Sequence, residues 1–463
     1  MARTPPGPRS LLPSRLLRTL QRDPIPLFTR LARDYGDASM FSVLGQKIVF
    51  FNHPDLIAEL LVAQNRFFYK SRVLQRSKIV FGEGLLTSED PLHLRQRRLA
   101  QPAFHRERIA RYAEAMVACA ARTRERWRDG ETLDVHHEMM RLTLDVVAKT
   151  LFGADVGGEA DEIGAALTQL VDLFPLLMNP LAPLLQKLPI VPSTRRFRRA
   201  VERLDRTIYA MIEARRGSEE DRGDLLSMLL LAQDVEGDGG GMTDRQLRDE
   251  AMTLFLAGHE TTANALAWTW YLLGLHPDVA EALHAHVDDV LGDRLPTAAD
   301  YPRLHFAEAV LAESMRLFPP AWAVSRLAMQ DVTIGEWLVP RGAVAVAAQA
   351  VMHRDARFWV EPARFDPSRF SASGAPHPAF GHPLPASGER DGGATRPKFA
   401  YFPFGGGPRI CIGEGFAWME GVLLLATLAQ RWRMELLSRD VAAQASITLR
   451  PRGGIAVRVR HRV

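Results

Sequence analysis

The stretch from Thr243 to Leu275 constrains this chain more than any other. Thr243 and Gln246 have the spacing of a capping box, and no proline interrupts the chain from there to His276-Pro277, where a helix has to stop. That leaves a helix of about 32 residues, ~48 Å long, enough to cross a whole domain. Its apolar part, Ala251 to Leu275, is long enough to span a bilayer. His259, Glu260 and Asn264 stand near its centre, however, which makes a membrane costly. The helix is therefore expected to be buried inside a large protein. A chain of 463 residues, 47% hydrophobic, can enclose it.

The surrounding pattern agrees. Pro24 to Tyr35 reads as a short helix, Ala38 to Phe51 as a hairpin turning near Gly45, and Asp55 to Val62 as a further helical stretch. Apolar residues then recur at spacings of three and four from Leu92 to Leu231, with a turn expected at Gly153 to Gly158. Five prolines punctuate Phe174 to Pro192, which excludes one regular helix there. Gly237 to Gly241 reads as a turn. Helical patterns run on to Phe318, short strands are expected across Trp322 to Ala350, an irregular loop over Ser371 to Pro397, and a last helix over Gly413 to Trp432. The fold class is mainly α with a minor β portion. No Ser/Gly linker or internal repeat divides the chain, so residues 1–463 read as a single domain.

Charge and cysteine usage exclude other classes. Of 58 basic residues 52 are arginine, but they are spread along amphipathic helices rather than concentrated between stacking aromatics. That speaks against nucleic acid as a partner. The Pro-rich start, Met1 to Ser10, lacks the apolar core of a leader or membrane anchor, and a cytoplasmic protein is expected. Cys119 and Cys411 lie in dissimilar settings, so no disulfide framework is implied. Cys119 reads as a small buried apolar residue within a helix, Ala110 to Trp127.

Cys411 is different. It sits in Phe404-Gly-Gly-Gly-Pro-Arg-Ile-Cys411-Ile-Gly413, a glycine-rich turn directly before a helix. Free N–H groups and the partial positive charge of a helix N-terminus stabilise a thiolate. Such a thiolate suits a nucleophile, a zinc ligand or an axial haem ligand. Zinc needs further ligands at finger-like spacing, which are missing, and no histidine base can be singled out among fourteen.

This segment resembles the cysteine-ligand loop of the cytochromes P-450, Phe-x-x-Gly-x-Arg-x-Cys-x-Gly, with Phe404, Gly407, Arg409, Cys411 and Gly413 in the fixed positions. Five fixed residues coincide by chance on the order of once in several thousand chains. The family's Glu-x-x-Arg pattern occurs six times here, beginning at Glu125, Glu138, Glu213, Glu219, Glu313 and Glu361. Only Glu313 to Arg316 is followed by Leu-Phe-Pro-Pro and Arg326, and it precedes Cys411 at a family-like separation. The resemblance implies a structural triad of Glu313, Arg316 and Arg369. In the long helix, Ala257-Gly-His-Glu260-Thr261-Thr262 resembles the family's oxygen-activating segment. Its threonines are expected to compete for backbone carbonyls and open the helix locally. By resemblance Thr261 hydrogen-bonds the oxygen under activation and Glu260 relays protons to it, while His259 occupies a variable position.

The same resemblance implies haem b, held through Cys411 on iron and through His93, Arg97, Arg326 and Arg409 at the propionates, with Ala257, Phe404, Gly405 and Gly413 against the cofactor. It implies the family's triangular-prism fold and a monooxygenase that inserts one atom of O2 into a hydrophobic fatty acid, terpenoid, steroid or macrolide. Candidate pocket residues are Leu74, Phe81, Leu85, Phe174, Leu177, Leu254, Ala257, Ala321 and Val324. Electrons from NAD(P)H would arrive through a separate ferredoxin or flavodoxin and its reductase, with Arg95 and Arg98 near a docking face for an acidic partner. A monomer is expected. The alternatives are a peroxide-dependent haem-thiolate enzyme, which would not need Glu260 and Thr261, and a non-catalytic haem-binding protein.

Overall fold

The computed structural model describes residues 2–8, 13–153, 192–216, 221–234, 237, 239–371, 390–391 and 394–462. Phe174 and Leu177, the proline-punctuated segment before Pro192, residues 154–158 and most of the 371–397 stretch, with His377 and His382, lie outside them. The chain divides into two compact units. One comprises Met1–Arg72, Glu308–Glu414 and Ala442–Arg452; the other comprises Val73–Ala307, Gly415–Val441 and Gly453–Val463.

The first unit is built on a five-stranded sheet. Its strands lie in the order Ala38–Val43, Gln46–Phe51, Val344–Ala347, Val324–Ala328, Phe68–Lys70. The first two form the expected hairpin, closed at Leu44 and Gly45, both with positive φ, as the right-handed twist of a two-residue hairpin demands. Gln46–Phe51 then pairs in parallel with Val344–Ala347, and the remaining pairings are antiparallel. Arg326 stands opposite Lys70 and Ala345 in this sheet. One core cluster gathers Val49, Phe51, Ile57, Leu60, Phe68, Ala345 and Phe402. Pro54–Ala58 is helical as expected, but the helix widens into a π-turn at Glu59–Ala63.

The second unit is mainly helical. Its long helix runs Asp244–Leu275, 32 residues, with the Thr243–Gln246 capping box in place: Gln246 N–H donates to Thr243 Oγ1 and Thr243 N–H to Gln246 Oε1. Val135–Phe152, Pro192–Arg215 and Pro277–Leu291 pack against it, and the unit also holds Leu92–Ala100, Arg106–Arg126 and nearly all of Glu414–Ala429. A three-stranded sheet, Trp432–Leu436, Ala456–His461 and Thr132–Asp134, completes the unit. Sequence periodicity did not reveal the Thr132–Asp134 strand, because three residues between two helices carry no alternation. The last helix ends at Ala429 rather than Trp432, whose residue already belongs to the sheet. Within 371–397, Arg390–Asp391 and Ala394–Thr395 form a short antiparallel ladder instead of irregular chain. No described helix is long and apolar enough to cross a membrane.

Candidate active site

The Cys411 loop is shaped by three glycines and two aromatics. Gly405 and Gly407 have positive φ, +78° and +72°. A Cβ on Gly407 would overlap the Leu61 carbonyl oxygen in the π-turn, so only glycine fits the approach of the two backbones. The Cys411 N–H donates to Phe404 O at 3.1 Å, Gly405 N–H to Phe402 O at 2.9 Å and Ile410 N–H to Gly407 O at 3.0 Å. These bonds fold the loop back on itself and leave Cys411 exposed, three residues before the helix Glu414–Ala429. Cys119 is buried, and burial pushes its thiol up to about 11, which leaves it unreactive at neutral pH.

The Glu313 cluster lies beside the chain that leads into this loop, to which it is joined at Tyr401 and Phe402. Arg316 donates from Nε to Glu313 Oε2 at 2.6 Å and from Nη2 to Oε1 at 2.8 Å. Its remaining donors go to the carbonyls of His353 (2.9 Å), Pro362 (2.7 Å) and Arg364 (2.9 Å). All five guanidinium N–H groups are thereby committed, and its face lies 4.9 Å from the Trp359 ring centroid. Glu313 also accepts the Asp366 N–H at 2.9 Å, and Arg369 Nε stands 3.4 Å from it. The structure thus brings Glu313, Arg316 and Arg369 together, with the first two fully buried. Burial raises the proton affinity of Glu313, and Arg316 opposes it.

Two residues in this cluster were not singled out by sequence reasoning. His353 Nε2 accepts the Phe402 N–H at 2.9 Å, and Tyr401 donates its hydroxyl to Ala312 O at 3.0 Å. Burial and the Arg316 charge push His353 down to about 3, so it is a neutral acceptor that fixes the strand of chain leading to Phe404. One histidine among fourteen carries no local signal for that role.

In the second unit, nearly every residue of the long helix from Leu247 to Leu273 is buried; Ala257, Gly258 and Thr261 are the accessible ones. Thr261 donates its hydroxyl to Ala257 O at 2.6 Å. The expected local opening of the helix does not occur: it is continuous from Asp244 to Leu275. The hydroxyl bond to the i−4 carbonyl adds to the backbone ladder instead of replacing it. Glu260 and His259 are buried, and burial lowers His259 to about 4, in keeping with no acid–base role for it. His93 and Arg97 occupy one face of Leu92–Ala100, with His93 Nδ1 3.4 Å from Asp90.

Arg95 and Arg98, expected near a docking face, are half-buried, and each bonds to the chain that leads into the long helix. Arg98 donates to both oxygens of Asp234 at 3.0 and 2.9 Å, and Arg95 to the carbonyls of Gly240 and Gly241 at 3.0 Å each. Among the pocket candidates, Phe81, Leu85 and Leu254 are buried in the second unit, Leu74 there is half-buried, and Ala321 and Val324 are half-buried in the first.

Comparison with known proteins decides the family. The cytochrome P450 family model matches residues 5–454. The chain belongs to the cytochrome P450 family. Among its relatives, cyclooctatin synthase of Streptomyces melanosporofaciens is 42% identical over 82% of this chain and 79% of that protein. Cyclooctat-9-en-7-ol 5-monooxygenase of the same organism is 35% identical with the same coverage. Pentalenene oxygenase of Streptomyces avermitilis is 34% identical over 82% of this chain and 80% of its own length. As a P450 the protein is a haem-thiolate monooxygenase, an oxidoreductase that works on a hydrophobic substrate with redox partners. The donor set fits haem. Cys411 is an exposed cysteine on a glycine-rich loop, and as a thiolate it would suit a metal whose other ligands belong to its own cofactor.

Proposed function

We propose that this P450 oxygenates a polycyclic terpenoid at a C–H or C=C bond. The observation that carries the reaction is the Cys411 loop: one exposed cysteine before a helix, on a backbone that approaches the Leu61 carbonyl too closely at Gly407 for any other residue. The substrate class rests on relatives named for acting on cyclooctat-9-en-7-ol and pentalenene and on the apolar Phe81, Leu85, Leu254 and Ala257.

Cys411 would ligate the iron, while His93, Arg97, Arg326 and Arg409 would answer the two propionates. When bound, the haem supplies activation of O2, favoured by electron donation from the thiolate. The chain's part is to orient the substrate, exclude water and deliver protons. Thr261 spends its own proton on Ala257 O, so its Oγ1 lone pairs are left to accept on the accessible side of the helix. Glu260, the adjacent buried carboxyl, is the group that moves a proton toward Thr261 Oγ1. Glu313, Arg316 and Arg369 hold the chain that leads into the Cys411 loop and take no part in proton transfer. Electrons would come from NAD(P)H through a ferredoxin or flavodoxin with its reductase. The protein would work as a cytoplasmic monomer and residues 1–463 as one domain, which coincident melting of helicity and haem absorbance would support.

The test is the absorption spectrum of the dithionite-reduced, carbon monoxide-treated protein, where a strongly red-shifted Soret band marks thiolate ligation. Cys411→Ser should abolish that band; its persistence would refute the ligand assignment. Thr261→Ala should keep the band but divert reducing equivalents into peroxide, by about tenfold or more relative to product, as for loss of a proton-delivery group. Unaltered coupling would remove Thr261 from the proton path.

A further inference from the structure

A stretch of backbone in the second unit is held by buried side chains remote from it in sequence. Asp249 Oδ2 accepts the Glu83 N–H at 2.8 Å, and Glu250 Oε2 accepts the Leu85 N–H at 3.1 Å. Arg248 donates to Val80 O at 2.8 Å and to Asp249 Oδ1 at 2.9 Å, and pairs with Asp205. Gln96 Nε2 donates to Glu83 O at 2.7 Å. Four backbone groups between Val80 and Leu85 thus end on Arg248, Asp249, Glu250 and Gln96, all buried. The approach leaves no room for a side chain at Gly82 or Gly84. A Cβ on Gly82, whose φ is +54°, would overlap the Asp249 carboxylate, and one on Gly84 would overlap Thr253 Oγ1.

Burying carboxylates is costly unless strong hydrogen bonds answer them. A connecting segment that needed only to turn would leave its polar groups to water. This one instead fixes Phe81 and Leu85, both buried. Glu250, Leu254, Ala257 and Thr261 stand at i, i+4, i+7 and i+11, which puts them on one stripe of the long helix. Leu85 is therefore anchored at one end of a stripe whose other end carries the accessible Ala257 and Thr261, ~10 Å along the axis from Glu250 to Ala257.

We infer that Asp249 and Glu250 are positioning residues for substrate selectivity. They hold Phe81 and Leu85 as a rigid apolar wall that admits a ring-shaped hydrocarbon in few orientations and discriminates it from a flexible chain. The inference rests on the reading that a hydrophobic substrate is oxidised beside Thr261. A wall that loosens would cost discrimination rather than the capacity to bind haem.

The test uses the full-length, haem-loaded protein. Glu250→Ala removes the acceptor for the Leu85 N–H, and Glu250→Gln retains an acceptor oxygen. Leu85→Ala leaves the acceptors in place and removes part of the wall. Two quantities are read: amide hydrogen exchange over residues 83–88, and dissociation constants from the haem spin-state shift for valencene, a bicyclic C15 alkene, and for dodecanoic acid. Glu250→Ala should speed exchange about tenfold or more and reduce the ratio of the two constants roughly fivefold or more. Glu250→Gln should keep both near wild type, and Leu85→Ala should lower the ratio without the faster exchange. Unchanged exchange in Glu250→Ala, or an unchanged ratio in either alanine variant, would overturn the proposal. If wild-type protein with an intact thiolate band gave no shift with either compound, the reading of a hydrophobic oxidation site would fail, and this inference with it.

Discussion

Two buried clusters hold backbone in this molecule, and they do so with opposite chemistry. Around Glu313 an arginine is the organiser: Arg316 sends three donors to the carbonyls of His353, Pro362 and Arg364, and Glu313 neutralises it. Around Glu250 the organisers are carboxylates, which collect the N–H groups of Glu83 and Leu85. A guanidinium has five donors in a fixed fork and can tie several passing segments together at once. A carboxylate binds fewer groups, each more locally. The first arrangement suits a structural keystone, the second the fine placement of one loop. A third buried carboxylate, Glu420, has neither arginine nor backbone donor among the described residues; burial pushes it up to about 8, with only the Thr262 hydroxyl pulling the other way.

The comparison can be broken at each point. Glu313→Ala should have the largest effect. It leaves Arg316 charged in a fully buried site, at a cost of about 3–5 kcal/mol, and thermal denaturation with haem content should show a protein that barely retains cofactor. Glu420 should come next, through pH. Its folded-state affinity for a proton exceeds the ordinary carboxylate value, so the folded chain binds more protons than the unfolded one between about pH 4.5 and 8. The contribution is complete at the acidic end of that window and is lost as pH rises through it. Denaturant titrations should therefore show stability falling toward alkaline pH, and Glu420→Gln should flatten the curve by an amount on the order of a few kcal/mol. The smallest effect belongs to Glu361→Ala. Glu361 and Arg364 share the spacing of Glu313 and Arg316 and stand 3.0 Å apart, yet both are more than half exposed. A melting curve within ~0.5 kcal/mol of wild type is expected; a loss like that of Glu313→Ala would show that spacing outweighs burial.

Spacing alone yields six candidate pairs in this chain, and sequence context separates Glu313–Arg316 from the rest. The Leu-Phe-Pro-Pro after Arg316 and the distance to Cys411 are enough. The Cys411 loop was legible for a related reason: its glycines, arginine and cysteine act within ten residues of one another. His353 and Tyr401 were not legible, because their partners, Phe402 N–H and Ala312 O, are set by how separate segments meet. The partners of Arg95 and Arg98 were not legible for the same reason: Asp234 and the Gly240–Gly241 carbonyls lie more than 130 residues away.

By itself the sequence determined the ends of the long helix, the hairpin at Gly45, the mainly helical class and the loop that presents Cys411. Each depends on signals that act over a few residues: caps, prolines, positive-φ glycines and short fixed spacings. Tertiary structure alone decided which charged side chains are buried and what satisfies them. Asp249 meets Glu83 across 166 residues of chain, and nothing local to either residue encodes that meeting. The hydrogen bonds a buried charge makes depend on which segments packing brings against it, and the local pattern of neither segment specifies that.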